Sequence, residues 1–419
     1  MANIYPFKGW RYNQRHVSEM SDVIVPPYDV ITPAEQDRYY EKSPDNYIRV
    51  NLNRTPSNEK YTDADQILRQ WKKKGILIEE SQEVIYLLSQ TYSHDGEDVV
   101  RVSCICALEL RDLGDTVLAH EQIIEEHLND RYQVLESTQA NTGQIFISYQ
   151  DKEMVLEKIF GQLDDLPCLD VILDEIQYKI WPVSNPELIR EFQLSLSDKD
   201  LVVLDGHHRY KTAYKYHKRH PEISGSDRIM VTLVNSSDPG MNVLPTHRLL
   251  SNINNSLQEI ESGLVPNFSV EEMNIESLIL HMEDGSAPKG TFGLFYRESN
   301  TGLLLNFRNW DQLKKVFNDR SEASQKLDTN ILHHFVLNEV FGIDTTNQEK
   351  LKNLSYMRGN KPTLELIKEE SGFDVACLLQ PPSLDEIFSI AHAGETMPQK
   401  STFFFPKIYS GLVTRCFGK

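Results

Sequence analysis

Apolar positions along the chain fall into short runs with two-residue alternation, separated by segments that repeat at helical spacing. Val84 to Tyr92 and Val99 to Leu110 predict two strands joined by a turn at Asp95-Gly96. Ile145 to Tyr149 and Ile229 to Val234 predict further strands, and the fully apolar Leu201-Val202-Val203-Leu204 predicts a buried one. Tyr61 to Gly75 predicts a helix, because Ile67, Leu68 and Trp71 share one face, Lys72-Lys73-Lys74 complement the last turn and Gly75 can cap it. Helices are also predicted over Glu121 to Leu135, Arg209 to Lys218 and Asn330 to Val340. Phe292 to Phe307 predicts two strands about Asn300-Thr301-Gly302. Near the end, Gly394 to Thr402 predicts a loop running into the strand-like Phe403-Phe404-Phe405. Strands and helices thus mix along the chain without repeat, and the fold expected is α+β.

The chain has 419 residues, more than one core usually supports, so two or three domains are expected. A charge of −19 argues against non-specific adhesion to nucleic acid or to an anionic membrane. No apolar run approaches the ~20 residues of a membrane span, and Met-Ala-Asn-Ile-Tyr-Pro is no signal peptide. Five scattered cysteines suit reduced thiols, which together predict a cytoplasmic protein. Cys104 and Cys106 alternate in an apolar run, which predicts two thiols on one face of a strand.

The strongest chemical signal is Asp205-Gly206-His207-His208-Arg209-Tyr210, where a buried strand stops, turns at glycine and enters a helix. Glycine lets backbone approach a phosphate, a helix N-terminus directs N–H groups at it, and Arg209 can grip its oxygens in a fork. Asp205 could hold Mg²⁺ directly or through water. The competing reading is a capped turn with solvated histidines. His120-Glu121 is the second signal: a phosphoryl acceptor hydroxyl needs a carboxylate to orient it and take its proton. A first-turn glutamate at a helix start is the plainer reading of the same residue. Ile124 stands where a zinc protease would need its second histidine, which excludes that class.

Lys400-Ser401-Thr402 is the third signal. Gln399 and Pro398 break the phosphate-loop pattern, and strand rather than helix follows, so the segment reads as a small polar binding strip or a sheet rim. Thr246-His247-Arg248 reads either as a further cation near a site or as a surface turn. Pro26-Pro27-Tyr28-Asp29 reads as a rigid turn with a buried tyrosine.

Taken in order, Pro6-Phe7-Lys8-Gly9, Pro26 to Ile31, His120-Glu121, Asp205 to Tyr210, Leu244 to Arg248 and Met397 to Thr402 resemble a widespread bacterial and archaeal family long catalogued as a domain of unknown function. That family resembles in turn the archaeal free-serine kinases, which share a ParB/sulfiredoxin-like core. The likeness to the kinases is confined to His120-Glu121-Gln122, Val203 to Arg209 and Pro398 to Thr402. It implies transfer of the terminal phosphoryl group of ATP or ADP to the hydroxyl of free L-serine, with Mg²⁺. By that resemblance Glu121 is the base with His120 beside it. Gly206, His207, His208 and Arg209 hold nucleotide phosphates, Asp205 lies near the metal, and Lys400, Ser401 and Thr402 bind serine. Tyr210 stands where the kinases commonly have tryptophan, and the stretch between Glu121 and Asp205 is much longer than theirs.

The resulting expectation is an N-terminal mixed α/β region over 1–115, a ParB/sulfiredoxin-like phosphate-binding core over 116–250, and a C-terminal α/β region over 251–419. A strip at 394–413 is expected to return to the site. Nucleotide and free L-serine are the expected partners, with no nucleic acid and no membrane. The alternative is a non-catalytic nucleotide- or phosphate-binding regulator of ParB-like type. Sulfiredoxin chemistry is excluded because His207 occupies the position of its reactive cysteine.

Overall fold

The computed structural model describes residues 2–94, 96–121, 128–345, 348–359 and 361–418. They form two compact units. The first comprises 1–119, 123–242 and 406–419, and the second comprises 120–122 and 243–405.

The first unit is organised by a nine-stranded mixed sheet. Its strands are β1 (Ile4–Tyr5), β2 (Ile85–His94), β3 (Glu97–Glu109), β4 (Val117–Ala119), β5 (Ile145–Tyr149), β6 (Leu169–Leu173), β7 (Ile176–Val183), β8 (Leu201–Asp205) and β9 (Arg228–Asn235). The order is β4-β8-β5-β9-β3-β2-β7-β6, with β1 paired to β3. Alternate residues Ile85 and Leu87, Cys104 and Cys106, Ile145 and Ile147, and Val231 and Leu233 enter one core. The intervening Tyr86, Ile105, Phe146 and Thr232 are buried as well, so both faces of the sheet are covered. Cys104 and Cys106 therefore share a face, as their spacing predicts. Helices α1 (Leu128–Thr138) and α2 (His207–Arg219) pack together, with the Tyr132 and Tyr216 rings 6.0 Å apart.

The second unit is built on six strands: β10 (His247–Leu250), β11 (Phe268–Met273), β12 (Thr291–Tyr296), β13 (Thr301–Phe307), β14 (Leu354–Met357) and β15 (Val375–Leu378). Their order is β11-β13-β12-β15-β10-β14. Period-two patterning serves both faces. Leu250, Leu294, Leu303, Leu305 and Cys377 enter one core, while Leu249, Phe295, Leu304, Ala376 and Leu378 enter another.

The architecture is mixed α/β, consistent with the α+β expectation. Most predicted elements appear within a few residues of their predicted bounds, and two differ. The helix expected over Glu121 to Leu135 begins at Leu128, and residues 122–127 lie outside those described. The helix expected over Asn330 to Val340 is α3 (Asp328–Ile331) followed by a π-helix over Leu332–Asn338. Side-chain periodicity does not separate these two helix types over a few residues, whereas backbone pairing does.

The second unit should be acid-sensitive. His247 is fully buried and burial, then the neighbouring Arg248, lowers its pKa to about 3. His333 is lowered well below its usual value for the same two reasons. Unfolded histidine takes up a proton near pH 6.5 while these folded ones do not, so stability is full above that pH and is lost as pH falls toward 3. For His247 the loss reaches roughly 3–5 kcal/mol by linkage. Asp328, raised to about 6 by burial, works in the opposite direction between pH 4 and 6. With two histidines against one aspartate, calorimetry should show the melting temperature falling between pH 7 and pH 5.

Candidate functional site

In the first unit, β8 lies between β4, to which it runs parallel, and the antiparallel β5. It ends at Asp205. Gly206 then turns at φ +93°, a left-handed conformation that side-chain-bearing residues avoid. A Cβ there would also lie 3.1 Å from both Arg209 Nη2 and Ile145 Cδ1. The chain enters α2 at His207, and Tyr210 N–H donates to the Gly206 carbonyl. The first-turn N–H groups of a helix have no intrahelical acceptor and point along the dipole, so a turn such as Gly206-His207-His208-Arg209 has the geometry that can receive an anion. Gly206→Ala should cost about 1–3 kcal/mol and weaken anion binding together with stability. A thermal melt run with and without nucleotide checks both.

Around this turn the charges are arranged in a connected group. Asp205 Oδ2 accepts from Lys407 Nζ at 2.9 Å, and Oδ1 lies 3.7 Å from Arg209 Nη2. Burial alone would raise the Asp205 carboxyl, but the Lys407 ammonium and the Arg209 guanidinium outweigh it and hold it well below the usual carboxylate range. Arg209 Nη1 donates to the Gln144 carbonyl at 2.5 Å. Gly143 leaves the space for this, since a Cβ there would sit 2.8 Å from Nη1. A second guanidinium, Arg131, lies 4.1 Å from the Tyr28 ring centre, and that of Arg209 lies 5.9 Å from it. Arg131 is fixed by Asp130 and by the Asn51 carbonyl at 2.8 Å. Both arginines, with Asn51, Thr142, Gly143 and Thr212, line a cavity of about 40 Å³. The buried Thr212 hydroxyl has no hydrogen-bond partner among the described residues, so it is a donor available to a guest.

In the second unit, His120 and Glu121 are met by the 397–402 strip. Met397 N–H donates to the His120 carbonyl at 2.8 Å, and Lys400 N–H donates to Glu121 Oε1 at 3.2 Å. His120 is fully buried, with Nε2 3.0 Å from Thr402 Oγ1 and its ring edge-on to Phe404. Ser401 is also buried and donates to the Pro398 carbonyl at 2.5 Å. Both strip hydroxyls are therefore engaged within the protein. Lys400 takes the left-handed conformation at φ +57°, which presents its N–H to Glu121.

Sequence reasoning missed three members of these groups. Tyr28 forms part of a turn, as expected, but its ring is flanked by Arg131 and Arg209. Arg131 and Lys407 belong to no recognisable motif. Thr246-His247-Arg248 is not a surface turn: all three are buried, with His247 and Arg248 on β10. Alternating partners around Leu249-Leu250 are the signal that could have placed them inside.

A family model described as "Protein of unknown function (DUF1015)" matches residues 4–330. The chain belongs to the DUF1015 family. The match takes in His120-Glu121 and the Gly206 turn and stops before the 397–402 strip. No curated protein matches this DUF1015 chain. Among solved structures, a conserved hypothetical protein from Pyrococcus furiosus has a TM-score of 0.35 and 15% identity, over 73% of this chain and 92% of that one. A mutant free serine kinase in complex with ADP has a TM-score of 0.35 and 11% identity, over 71% of this chain and 90% of that one. SbnI with a C-terminal truncation, from Staphylococcus aureus, has a TM-score of 0.33 and 13% identity, over 73% and 82%. At such scores, function is argued from the site itself.

No helix among the described residues is long and apolar enough to cross a membrane. No cluster of three or more His, Cys, Asp or Glu side chains suited to a metal ion occurs among them. Asp205 is held ionised by Lys407 and Arg209, which lie against its two oxygens.

Proposed function

We propose that this DUF1015 protein is a small-molecule phosphotransferase that moves the terminal phosphoryl group of ATP or ADP to the hydroxyl of a free amino acid, L-serine being the first candidate. The observation that carries the reading is that Arg131 and Arg209, the latter in the first turn of α2 beyond β8, line one small cavity together with the unpartnered Thr212 hydroxyl. Such a group satisfies several phosphate oxygens at once, and phosphoryl transfer depends mainly on positioning and charge neutralisation. The core around β8 and α2 is read as ParB/sulfiredoxin-like on the strength of the motifs.

Gly206, His207, His208 and Arg209 hold the donor's phosphates, and Asp205 would be the protein's ligand to a nucleotide-borne Mg²⁺, which would supply charge neutralisation. Glu121 orients the acceptor hydroxyl and takes its proton. The hydroxyl oxygen bonds to phosphorus as the bond to the leaving nucleotide breaks. His120, held by Thr402, and the Lys400 N–H fix the angle of Glu121, while Ser401 braces the strip. Serine binding therefore draws on Lys400 directly and on Ser401 and Thr402 through the groups they hold.

The test is incubation of the full chain with ATP or ADP against a panel of free amino acids and small alcohols, with detection of phosphorylated product. Product with an amino acid, dependent on divalent cation, is expected. Nucleotide binding with no acceptor consumed would replace the phosphotransferase by a sensor.

A further inference from the structure

A cavity of about 570 Å³ lies wholly in the second unit. That falls within the range of about 300–1,000 Å³ typical of small-molecule pockets, well beyond what a three-carbon amino acid fills. Its wall includes His333, His334 and Asn338 of the π-helix Leu332–Asn338, together with Tyr356 from β14 and Pro398 and Gln399 from the strip that contacts Glu121. π-Helical turns are rare, cost hydrogen-bond geometry, and are concentrated at functional sites.

Behind this wall sits an unusual charge. Arg248 is 1% exposed and, with Arg101, is the largest kind of side chain fully enclosed among the described residues. Its Nη1 donates to the Thr246 carbonyl and its Nε to His333 Nε2 at 3.3 Å, while Nη2 has no hydrogen-bond partner among the described residues. Burial lowers its pKa only to about 10, so it stays cationic at neutral pH. The bond from Nε fixes the tautomer of His333: Nε2 accepts, so Nδ1 carries the proton and is a donor. Tyr356 stacks near the guanidinium, at 5.5 Å from its ring centre, and adds a hydroxyl to the same wall. A buried, incompletely bonded cation behind neutral donors favours an anionic guest, because the low local dielectric strengthens the attraction. Asp319 also lines the cavity and suits an ammonium group on the same guest.

We propose that this cavity is the acceptor site, and that it selects hydroxyl compounds bearing a free carboxylate, read by His333 Nδ1–H and the Tyr356 hydroxyl in front of the Arg248 guanidinium. L-Serine is the smallest member of that class, and the volume admits longer hydroxy amino acids and seryl dipeptides. The role as acceptor site rests on the phosphotransferase reading; the binding chemistry does not.

The experiment is calorimetric titration of the full chain, without nucleotide, with L-serine, L-homoserine and glycyl-L-serine, each beside its carboxamide. The carboxylates should bind at least about tenfold more tightly than the amides, since a site built for a polar group penalises its loss heavily. His333→Phe should weaken carboxylate binding about tenfold or more. Tyr356→Phe, which removes a single hydroxyl, should weaken it severalfold and covers the case in which the larger change prevents folding. Equal affinity for acid and amide, no binding by any of the three acids, or unchanged affinity in both variants would overturn the proposal. Carboxylates that bind as expected while neither ATP nor ADP yields phosphorylated product would leave the anion pocket standing and remove its role as acceptor site.

Discussion

Glu121→Gln should lower the rate of phosphorylated-product formation by about 10²–10⁴-fold, the usual contribution of a positioned general base, while nucleotide affinity stays within about twofold of the parent. The substitution keeps the shape of the side chain and an amide oxygen that can accept the Lys400 N–H, which donates to Glu121 Oε1 at 3.2 Å in the native protein. It removes the charge and the capacity to take a proton. The binding term should not move, because Glu121 is not among the residues proposed to hold the phosphates. Single-turnover measurement of product, beside a nucleotide titration, separates the two quantities. Unchanged product formation would show that Glu121 is no base, and nucleotide binding without turnover in the parent itself would leave a sensor.

The second large effect is expected from Arg209→Met, which should weaken nucleotide binding by about 30–1,000-fold, the range for truncating one member of a buried, hydrogen-bonded charge group. Arg209 is held from two sides, by the Gln144 carbonyl at 2.5 Å and by Asp205 at 3.7 Å, so its fork is already oriented when an anion arrives. Methionine fills much of the same volume but leaves the cradle without that charge, and leaves Asp205 with Lys407 as its remaining close cation. Arg209→Lys should recover only part of the loss, because an ammonium restores charge without the planar pair of donors. Titration with a fluorescent nucleotide at two salt concentrations checks both variants. The parent should show the steeper salt dependence, since an additional phosphate contact is screened there. Affinity unaffected by Arg209→Met would move the nucleotide away from the β8–α2 turn.

Much of the secondary structure was legible from local pattern. Leu201 to Leu204 reads as a buried strand because four consecutive apolar, β-branched-rich residues suit a strand covered on both faces. The glycine that follows needs no context to be recognised as a place where the chain turns. The strip at 397–402 was visible as chemistry, and its return to the site was expected from the resemblance alone: nothing local says that Met397 and Lys400 bond to His120 and Glu121, some 280 positions earlier. Tyr28, Arg131 and Lys407 were invisible for the same reason. Each is an ordinary surface-type residue whose role arises from neighbours brought in by packing. Arg248 was misjudged because arginine is rarely buried, and its enclosure depends on β10 being a central strand, with β14 and β15 on either side.

From the amino-acid order alone came the alternating strands and helices, the glycine-led turn at Asp205-Gly206 and the residue types able to hold phosphate or take a proton. These are short-range properties, set by backbone sterics and by spacing along one element. The tertiary structure alone decided which charges are paired, which hydroxyls are engaged, and that Leu332–Asn338 winds as a π-helix around a polar cavity. Those outcomes depend on burial and on long-range partners, and burial is what turns a common arginine or histidine into a group with altered electrostatics.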